Sequence, residues 1–149
     1  MSKYPALSAA FAENSIRVGA VALDREHAIE MAGELLVASG RSTPAYTESM
    51  IDAVTENGPY IVIAPGIALA HGRPSEAVIE IGLSLVTLAE PMVFGNQAND
   101  PVRLVIGLCA TDHSSHIDIM AELATFLGDV DSVNSVLNAV DSEQIRLLF

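Results

Sequence analysis

The sequence predicts an α/β fold in which a mixed β-sheet is sandwiched between helices on both faces. Apolar residues recur at helical spacing before residue 60, short β-branched runs fill residues 60–110, and helical spacing returns after residue 114. Helices on either side of a block of strands imply a sheet that is covered on both faces. The connections between residues 60 and 110 are too short for crossover helices, which disfavours a purely parallel sheet.

The first third of the chain is predicted to hold three helices and one strand. Asp24 caps the second helix and Gly40 ends it. Thr43 caps the third helix, and Pro44 takes its first position. The helices are expected near residues 6–13, 24–40 and 43–57, and the strand at 15–22.

The middle of the chain is predicted to supply the other strands, and the last third returns to helix. Residues 78–88 are the best-marked strand because they are rich in Ile, Val and Leu. Residues 91–100 are expected to form a turn-rich connection. The strands are expected at residues 60–64, 67–71, 78–88 and 102–110, and the helices at 114–127, 132–139 and 142–148.

Length and composition predict a single cytoplasmic domain that spans residues 1–149. The longest apolar stretches hold about ten residues, whereas a membrane-spanning helix needs roughly twenty, so no direct membrane insertion is expected. The N-terminus is too polar for a signal peptide, and the single cysteine, Cys109, fits a reducing compartment. The formal net charge of −12 disfavours nucleic acid and favours basic protein partners.

One histidine stands at the end of an apolar run. His71 closes this run and is followed by Gly72 and Arg73. A buried strand that ends here brings the imidazole out to solvent. Gly72 lets the backbone approach an incoming group closely, and Arg73 offers a forked cation suited to an oxyanion such as phosphate. A histidine in this position can serve as a nucleophile, a proton carrier or a metal ligand.

A second candidate histidine lies at the head of the predicted helix 114–127. His116 follows a strand end, where α/β proteins commonly place ligand sites and where the helix N-terminus favours an anion. From the first turn its ring can project toward His71 and donate a hydrogen bond to a phosphoryl oxygen. A helix-capping or packing role for His116 is the alternative. His27 lies in the first turn of an amphipathic helix and is expected to be a solvated surface residue.

Metal binding is an alternative from a different class of function. Cys109, His113 and His116 offer ligands at C-x3-H-x2-H spacing, with Asp112 nearby. The second ligand set usual in structural zinc sites is missing, and Cys109 falls in an apolar strand where an inert thiol is ordinary. The sequence has no Walker loop, G-x-G-x-x-G or G-x-S-x-G motif. Neither a nucleotide nor serine-hydrolase chemistry is therefore expected.

Four motifs occur in order in the middle of the chain. They are Gly58-Pro59-Tyr60, His71-Gly72-Arg73-Pro74, Leu85-Val86-Thr87-Leu88 and Asn99-Asp100-Pro101-Val102. Together they resemble the enzyme IIA (EIIA) components of the sugar phosphotransferase system, in the mannitol/fructose superfamily, and are most similar to the ascorbate-type branch. The resemblance covers residues 11–140, and its specific part is residues 58–102.

The resemblance implies a phosphocarrier that needs no metal or other cofactor. In this family the histidine matching His71 takes a phosphoryl group from phosphorylated HPr through a ring nitrogen. It then passes the group to a cysteine of the IIB component, while the membrane-bound IIC component moves the sugar. His116 matches the family's second histidine, which is expected to stabilise the phosphorylated state. Arg73 and the backbone at Gly72 would support the phosphate charge.

Two departures from the family pattern accompany this resemblance. Ala70 stands where relatives usually carry a proline before the active histidine, which loosens the local backbone. Ala53 lies near the position of an arginine that helps to surround the phosphate in mannitol-type members, so Arg73 would have to serve instead. The same chemistry also suits a regulatory module in which phosphorylation of His71 controls a regulator or transporter. Exposed apolar residues around His71 are expected to serve partner docking or a homodimer contact.

Overall fold

The structure is a computed structural model that describes residues 2–112, 114 and 116–149. Within these residues, helices pack on both faces of one five-stranded mixed sheet, as the sequence predicts. In chain order the elements are α1 (Pro5–Ala10), β1 (Phe11–Ala20), α2 (Arg25–Ala38), α3 (Pro44–Asn57), β2 (Val62–Ala64), β3 (Ile67–His71), β4 (Gly82–Met92), β5 (Val102–Cys109), α4 (Ile117–Leu127), α5 (Val130–Asn138) and α6 (Ser142–Arg146).

The strands lie in the order β1-β4-β5-β3-β2. β1 is parallel to β4 and β3 is parallel to β5, whereas the β4–β5 and β2–β3 pairs are antiparallel. His71 of β3 pairs with Leu108 of β5, which pairs on its other side with Leu83 of β4. The carboxyl ends of β3 and β5 therefore lie side by side at one end of the sheet. This is where α/β sheets commonly bind ligands.

The central strands are buried because a helical layer covers each face of the sheet. Helices α2 and α3 cover one face, and α1, α4, α5 and α6 cover the other. In β3, Ala68 and Ala70 pack in the first layer, while Ile67 and Leu69 pack in the second. Because side chains alternate along a strand, the Cβ of His71 lies on the same face as Leu69. That face is covered by α4, the helix that follows His116.

The best-marked strand of the sequence begins later than predicted. β4 starts at Gly82, and Val78 makes only an isolated bridge. The N–H group of Ile79 donates to the Arg41 carbonyl at 2.8 Å, so the loop after α2 satisfies this backbone rather than a strand ladder. The assignment of residues 78–81 to this strand is therefore wrong. The strand instead continues through Met92, into the segment predicted as a turn-rich connection.

The N-terminal boundaries also differ from the prediction. The first helix ends at Ala10, and β1 begins at Phe11, four residues before the predicted start. Phe11 pairs with Leu83 of β4, so pairing across the sheet outweighs the local helical pattern. The helix predicted from residue 114 begins at Ile117. In the part of the chain that the structure describes, no helix is both long and apolar enough to cross a membrane.

Candidate active site

A cleft of about 560 Å³ opens at the end of the sheet where β3 and β5 finish. It brings together all four of the residues that the sequence singles out for phosphate chemistry, which are His71, Gly72, Arg73 and His116. Tyr46, Ala53 and Tyr60 also line it. Ala53 contributes only a methyl group to this wall.

The His71 imidazole is held at the end of β3 by a backbone contact. Its Nδ1 lies 2.8 Å from the carbonyl oxygen of Leu69, and the side chain is partly buried. A carbonyl oxygen only accepts hydrogen bonds, so Nδ1 must carry the proton in this contact. In the neutral imidazole the lone pair is then on Nε2. This arrangement leaves Nε2 as the nucleophilic nitrogen.

An aromatic ring packs against the same imidazole. The Tyr60 and His71 ring centroids are 5.6 Å apart, with an interplanar angle of 86°. This is the edge-to-face arrangement that aromatic pairs prefer. Tyr60 is 46% exposed, so its ring forms part of the cleft wall rather than of the core.

Gly72 is held by a hydroxyl group of the helical layer. Its N–H donates to the Tyr46 hydroxyl at 2.9 Å, and that hydroxyl lies 2.6 Å from the Leu108 carbonyl, to which it donates. A Cβ atom at position 72 would lie only 2.7 Å from Oγ of Ser49, so this position requires close approach of the backbone to α3. The Gly72 N–H is thus engaged within the protein rather than directed at an incoming phosphate.

Tyr46 links the ends of β3 and β5 through this hydroxyl. Tyr46 belongs to the apolar stripe of α3 with Met50 and Val54, and the sequence alone does not assign it a polar role. The residue is only 1% exposed, and burial raises the pKa of its phenol to about 12. A buried tyrosine hydroxyl normally finds a partner, so its position in the stripe is the signal that could have revealed this role.

His116 occupies the N-cap position of α4, and its backbone carbonyl accepts from the Met120 N–H at 2.9 Å. Its ring lines the cleft. The Nδ1 atom is buried, and it has no hydrogen-bond partner among the described residues. A buried N–H without an acceptor is costly, which favours the tautomer with the proton on Nε2. That tautomer makes Nε2 a hydrogen-bond donor.

Arg73 is exposed and lies between two clefts. It lines the His71 cleft and also a neighbouring one of about 470 Å³, where Asp52 and Glu56 of α3 are found. The Arg73 side chain therefore shares one cleft with His71 and the other with two carboxylates.

The remaining candidate residues lie elsewhere or have other partners. The Nδ1 atom of His27 accepts from the Leu23 N–H at 3.0 Å, so this histidine helps to cap α2 rather than only facing solvent. Cys109 is buried in the α2–α3 layer, and burial raises the pKa of its thiol to about 11. The described residues contain no group of three metal-ligating side chains. His113, the remaining ligand of the metal hypothesis, lies outside the described residues.

A family pattern described as phosphoenolpyruvate-dependent sugar phosphotransferase system, EIIA 2, matches residues 9–149. The chain belongs to this family. It is therefore a phosphocarrier component of the phosphotransferase system, one that transfers phosphoryl groups. The expectation raised by the four sequence motifs is confirmed.

Individual relatives agree with this assignment. The chain is 44% identical over 109 residues to the ascorbate-specific PTS system EIIA component of Escherichia coli (strain K12), covering 72% of this chain and 71% of that protein. The solution structure of the mannitol-specific cryptic enzyme IIA CmtB from Escherichia coli matches with a TM-score of 0.85 and 33% identity, over 95% of this chain and 96% of that one. A complex of the mannitol enzyme IIA with phosphorylated enzyme IIB from Escherichia coli matches with a TM-score of 0.80 and 26% identity, over 93% and 95%.

Proposed function

We propose that His71 accepts a phosphoryl group from phosphorylated HPr and passes it to a cysteine of a IIB component, for the uptake of ascorbate. The observation that carries this proposal is the contact of His71 Nδ1 with the Leu69 carbonyl, in a cleft that His116 and Arg73 also line. It leaves one ring nitrogen with a lone pair beside two groups suited to an anion.

The transfer is a pair of displacements at phosphorus. The Nε2 lone pair of His71 forms the N–P bond as the bond between phosphorus and the HPr donor breaks. The proton stays on Nδ1, and its hydrogen bond to the Leu69 carbonyl stabilises the positive charge that the ring acquires. The thiolate of a IIB cysteine then forms the S–P bond, and the N–P electron pair returns to Nε2.

His116 and Arg73 are the proposed stabilisers of the phosphoryl oxygens. His116 would donate a hydrogen bond from Nε2 to a phosphoryl oxygen. Its Nδ1 is buried without a hydrogen-bond partner, which favours the proton on Nε2 and so supports this role. Arg73 supplies the cation in a cleft where position 53 is only alanine. The Gly72 N–H is already engaged by Tyr46, so it would not donate to the phosphate. Gly72 would instead contribute by letting the backbone pack closely against α3. Phosphoryl transfer depends chiefly on such positioning and charge stabilisation.

The surface around the cleft suits protein partners. Tyr60 is exposed and lines the cleft beside His71, and exposed Ile117 follows His116 in the chain. The molecule has a net charge of −12. A partner with an apolar contact surface and basic residues would fit this combination. HPr, as donor, and the IIB component, as acceptor, would use it in turn, and the IIC component would move the sugar. We propose that residues 1–149 act as a single EIIA domain in the cytoplasm.

Labelling with phosphorylated HPr tests the proposal. The expected product is an acid-labile, base-stable phosphoryl group that is absent from the His71→Ala protein. His27→Ala removes a histidine outside the cleft and should label normally. Label that persists in His71→Ala would rule His71 out as the acceptor. A chase with ascorbate-type and mannitol-type IIB domains tests the sugar, and faster discharge to the mannitol-type domain would contradict the ascorbate assignment.

A further inference from the structure

Gly72 joins the candidate acceptor His71 to the cation Arg73. A Cβ atom at this position would lie only 2.7 Å from Oγ of Ser49, so packing against α3 requires a glycine here. Glycine also has the greatest backbone freedom of any residue, because it lacks a Cβ atom. The link between the acceptor and its cation therefore has little stiffness of its own, and contacts from elsewhere in the fold must fix it.

The Tyr46 hydroxyl contacts the backbone on both sides of the Gly72 Cα atom. The Gly72 N–H, in the peptide group shared with His71, donates to this hydroxyl at 2.9 Å. The Gly72 carbonyl oxygen, in the peptide group shared with Arg73, lies 3.4 Å from it. The hydroxyl donates in turn to the Leu108 carbonyl at 2.6 Å, on the strand that pairs with β3. One buried phenol thus ties both peptide groups of Gly72 to β5.

The direction of the Arg73 side chain is the property that this tie can control. Arg73 borders the His71 cleft and also the neighbouring cleft, where Asp52 and Glu56 lie. Among the residues that the structure describes, no carboxylate forms a salt bridge with Arg73. Opposite charges attract, so these two carboxylates would compete with a phosphoryl group on His71 for the guanidinium. The backbone from which the arginine starts therefore influences which cleft it serves.

We infer that Tyr46 is a positioning residue for phosphoryl transfer, which fixes the Gly72 backbone and so keeps Arg73 directed at the phosphoryl group on His71. This rests on the proposed function of His71 and Arg73. Tyr46 neither gives nor takes a proton in the transfer. A misplacement of about 1 Å can slow a reaction by about 100-fold even when the change lies away from the reacting atoms. A hydroxyl that acts only through the backbone can therefore control the rate.

The test is the rate of labelling by phosphorylated HPr in the unsubstituted, Tyr46→Phe, Arg73→Gln and doubly substituted proteins. Tyr46→Phe keeps the ring and removes only the hydroxyl, and Arg73→Gln keeps a polar side chain without the charge. Each single change should slow labelling by roughly 10-fold. Because Arg73 no longer supports the phosphoryl group once the tie is lost, the double variant should also be roughly 10-fold slower. Independent effects would instead multiply to roughly 100-fold.

Ser84→Ala is the matched control for the loss of a buried hydroxyl. Ser84 is fully buried outside the cleft, and its hydroxyl donates to the Ala32 carbonyl at 2.7 Å. Rates are compared per folded molecule, with the folded fraction measured by circular dichroism, and Ser84→Ala should label at the unsubstituted rate.

Three results would overturn the inference while the unsubstituted protein still labels. They are a Tyr46→Phe protein as fast as Ser84→Ala, an Arg73→Gln protein as fast as the unsubstituted one, and a double variant roughly 100-fold slower. Failure of HPr to label the unsubstituted protein would count against the proposed function itself, and the inference would fall with it.

Discussion

Removing the Tyr46 hydroxyl should destabilise the protein although the aromatic ring is retained. In Tyr46→Phe, the Leu108 carbonyl and the Gly72 N–H lose hydrogen bonds of 2.6 and 2.9 Å. A buried polar group left without a partner costs about 1–3 kcal/mol, and Leu108 is only 6% exposed. Gly72 is more accessible, so water replaces part of its lost bond. We therefore expect a loss of about 2 kcal/mol in the free energy of unfolding, measured by urea titration at pH 7. The melting temperature should fall by roughly 4–8 °C.

The pH dependence of the same variant checks the cause. Burial raises the pKa of Tyr46 from 10.0 to about 12. Between these values the unfolded chain releases this proton and the folded protein keeps it, so the unsubstituted protein loses stability as pH rises from 10 to 12. Tyr46→Phe has no such proton to lose. The difference in free energy of unfolding between the unsubstituted protein and Tyr46→Phe should therefore narrow by at most about 3 kcal/mol over this pH range. Tyr60→Phe, a change at a half-exposed ring, should stay within about 0.5 kcal/mol of the unsubstituted protein. A Tyr46→Phe protein as stable as this control at pH 7 would refute the reasoning.

Three further outcomes are expected. His116→Ala should accept a phosphoryl group from HPr but transfer it more slowly or lose it sooner. The rate at which the label decays measures both effects, and an unchanged rate would remove His116 from the proposed mechanism. Gly72→Ala should cost about 1–3 kcal/mol through overpacking against Ser49 Oγ, and Ser49→Ala should recover part of it in the double variant, so strictly additive losses would exclude this contact. Cys109 should resist thiol reagents at pH 8 while the protein is folded and react in urea, since its thiol pKa is about 11; rapid reaction of the folded protein would show that the thiol is accessible.

The sequence predicts both ends of β3, the strand that ends at the candidate acceptor His71, correctly. The apolar run ends at His71, and β3 ends there too, because its residues 67–70 are buried between the two helical layers. The next strand along the chain, β4, begins four residues later than predicted. Apolar content alone cannot separate a buried strand from an extended loop, and the Ile79 N–H is satisfied by the Arg41 carbonyl, distant in sequence.

The candidate site was predictable as a set of residues but not as a geometry. The spacing of His71, Gly72 and Arg73 and the helix-head position of His116 indicate residues that the fold brings into one cleft. The tautomer of His71 depends on the Leu69 carbonyl, which no residue pattern identifies. The polar role of Tyr46 likewise depends on two backbone groups that meet only when β3 and β5 lie side by side.

The most direct test of the phosphocarrier mechanism is to map the phosphorylated residue by mass spectrometry of peptides from the HPr-labelled protein under alkaline conditions. One phosphoryl group on the peptide that contains His71, attached at Nε2, is the predicted result. A phosphoryl group on the peptide that contains His116, or on any residue other than His71, would contradict it.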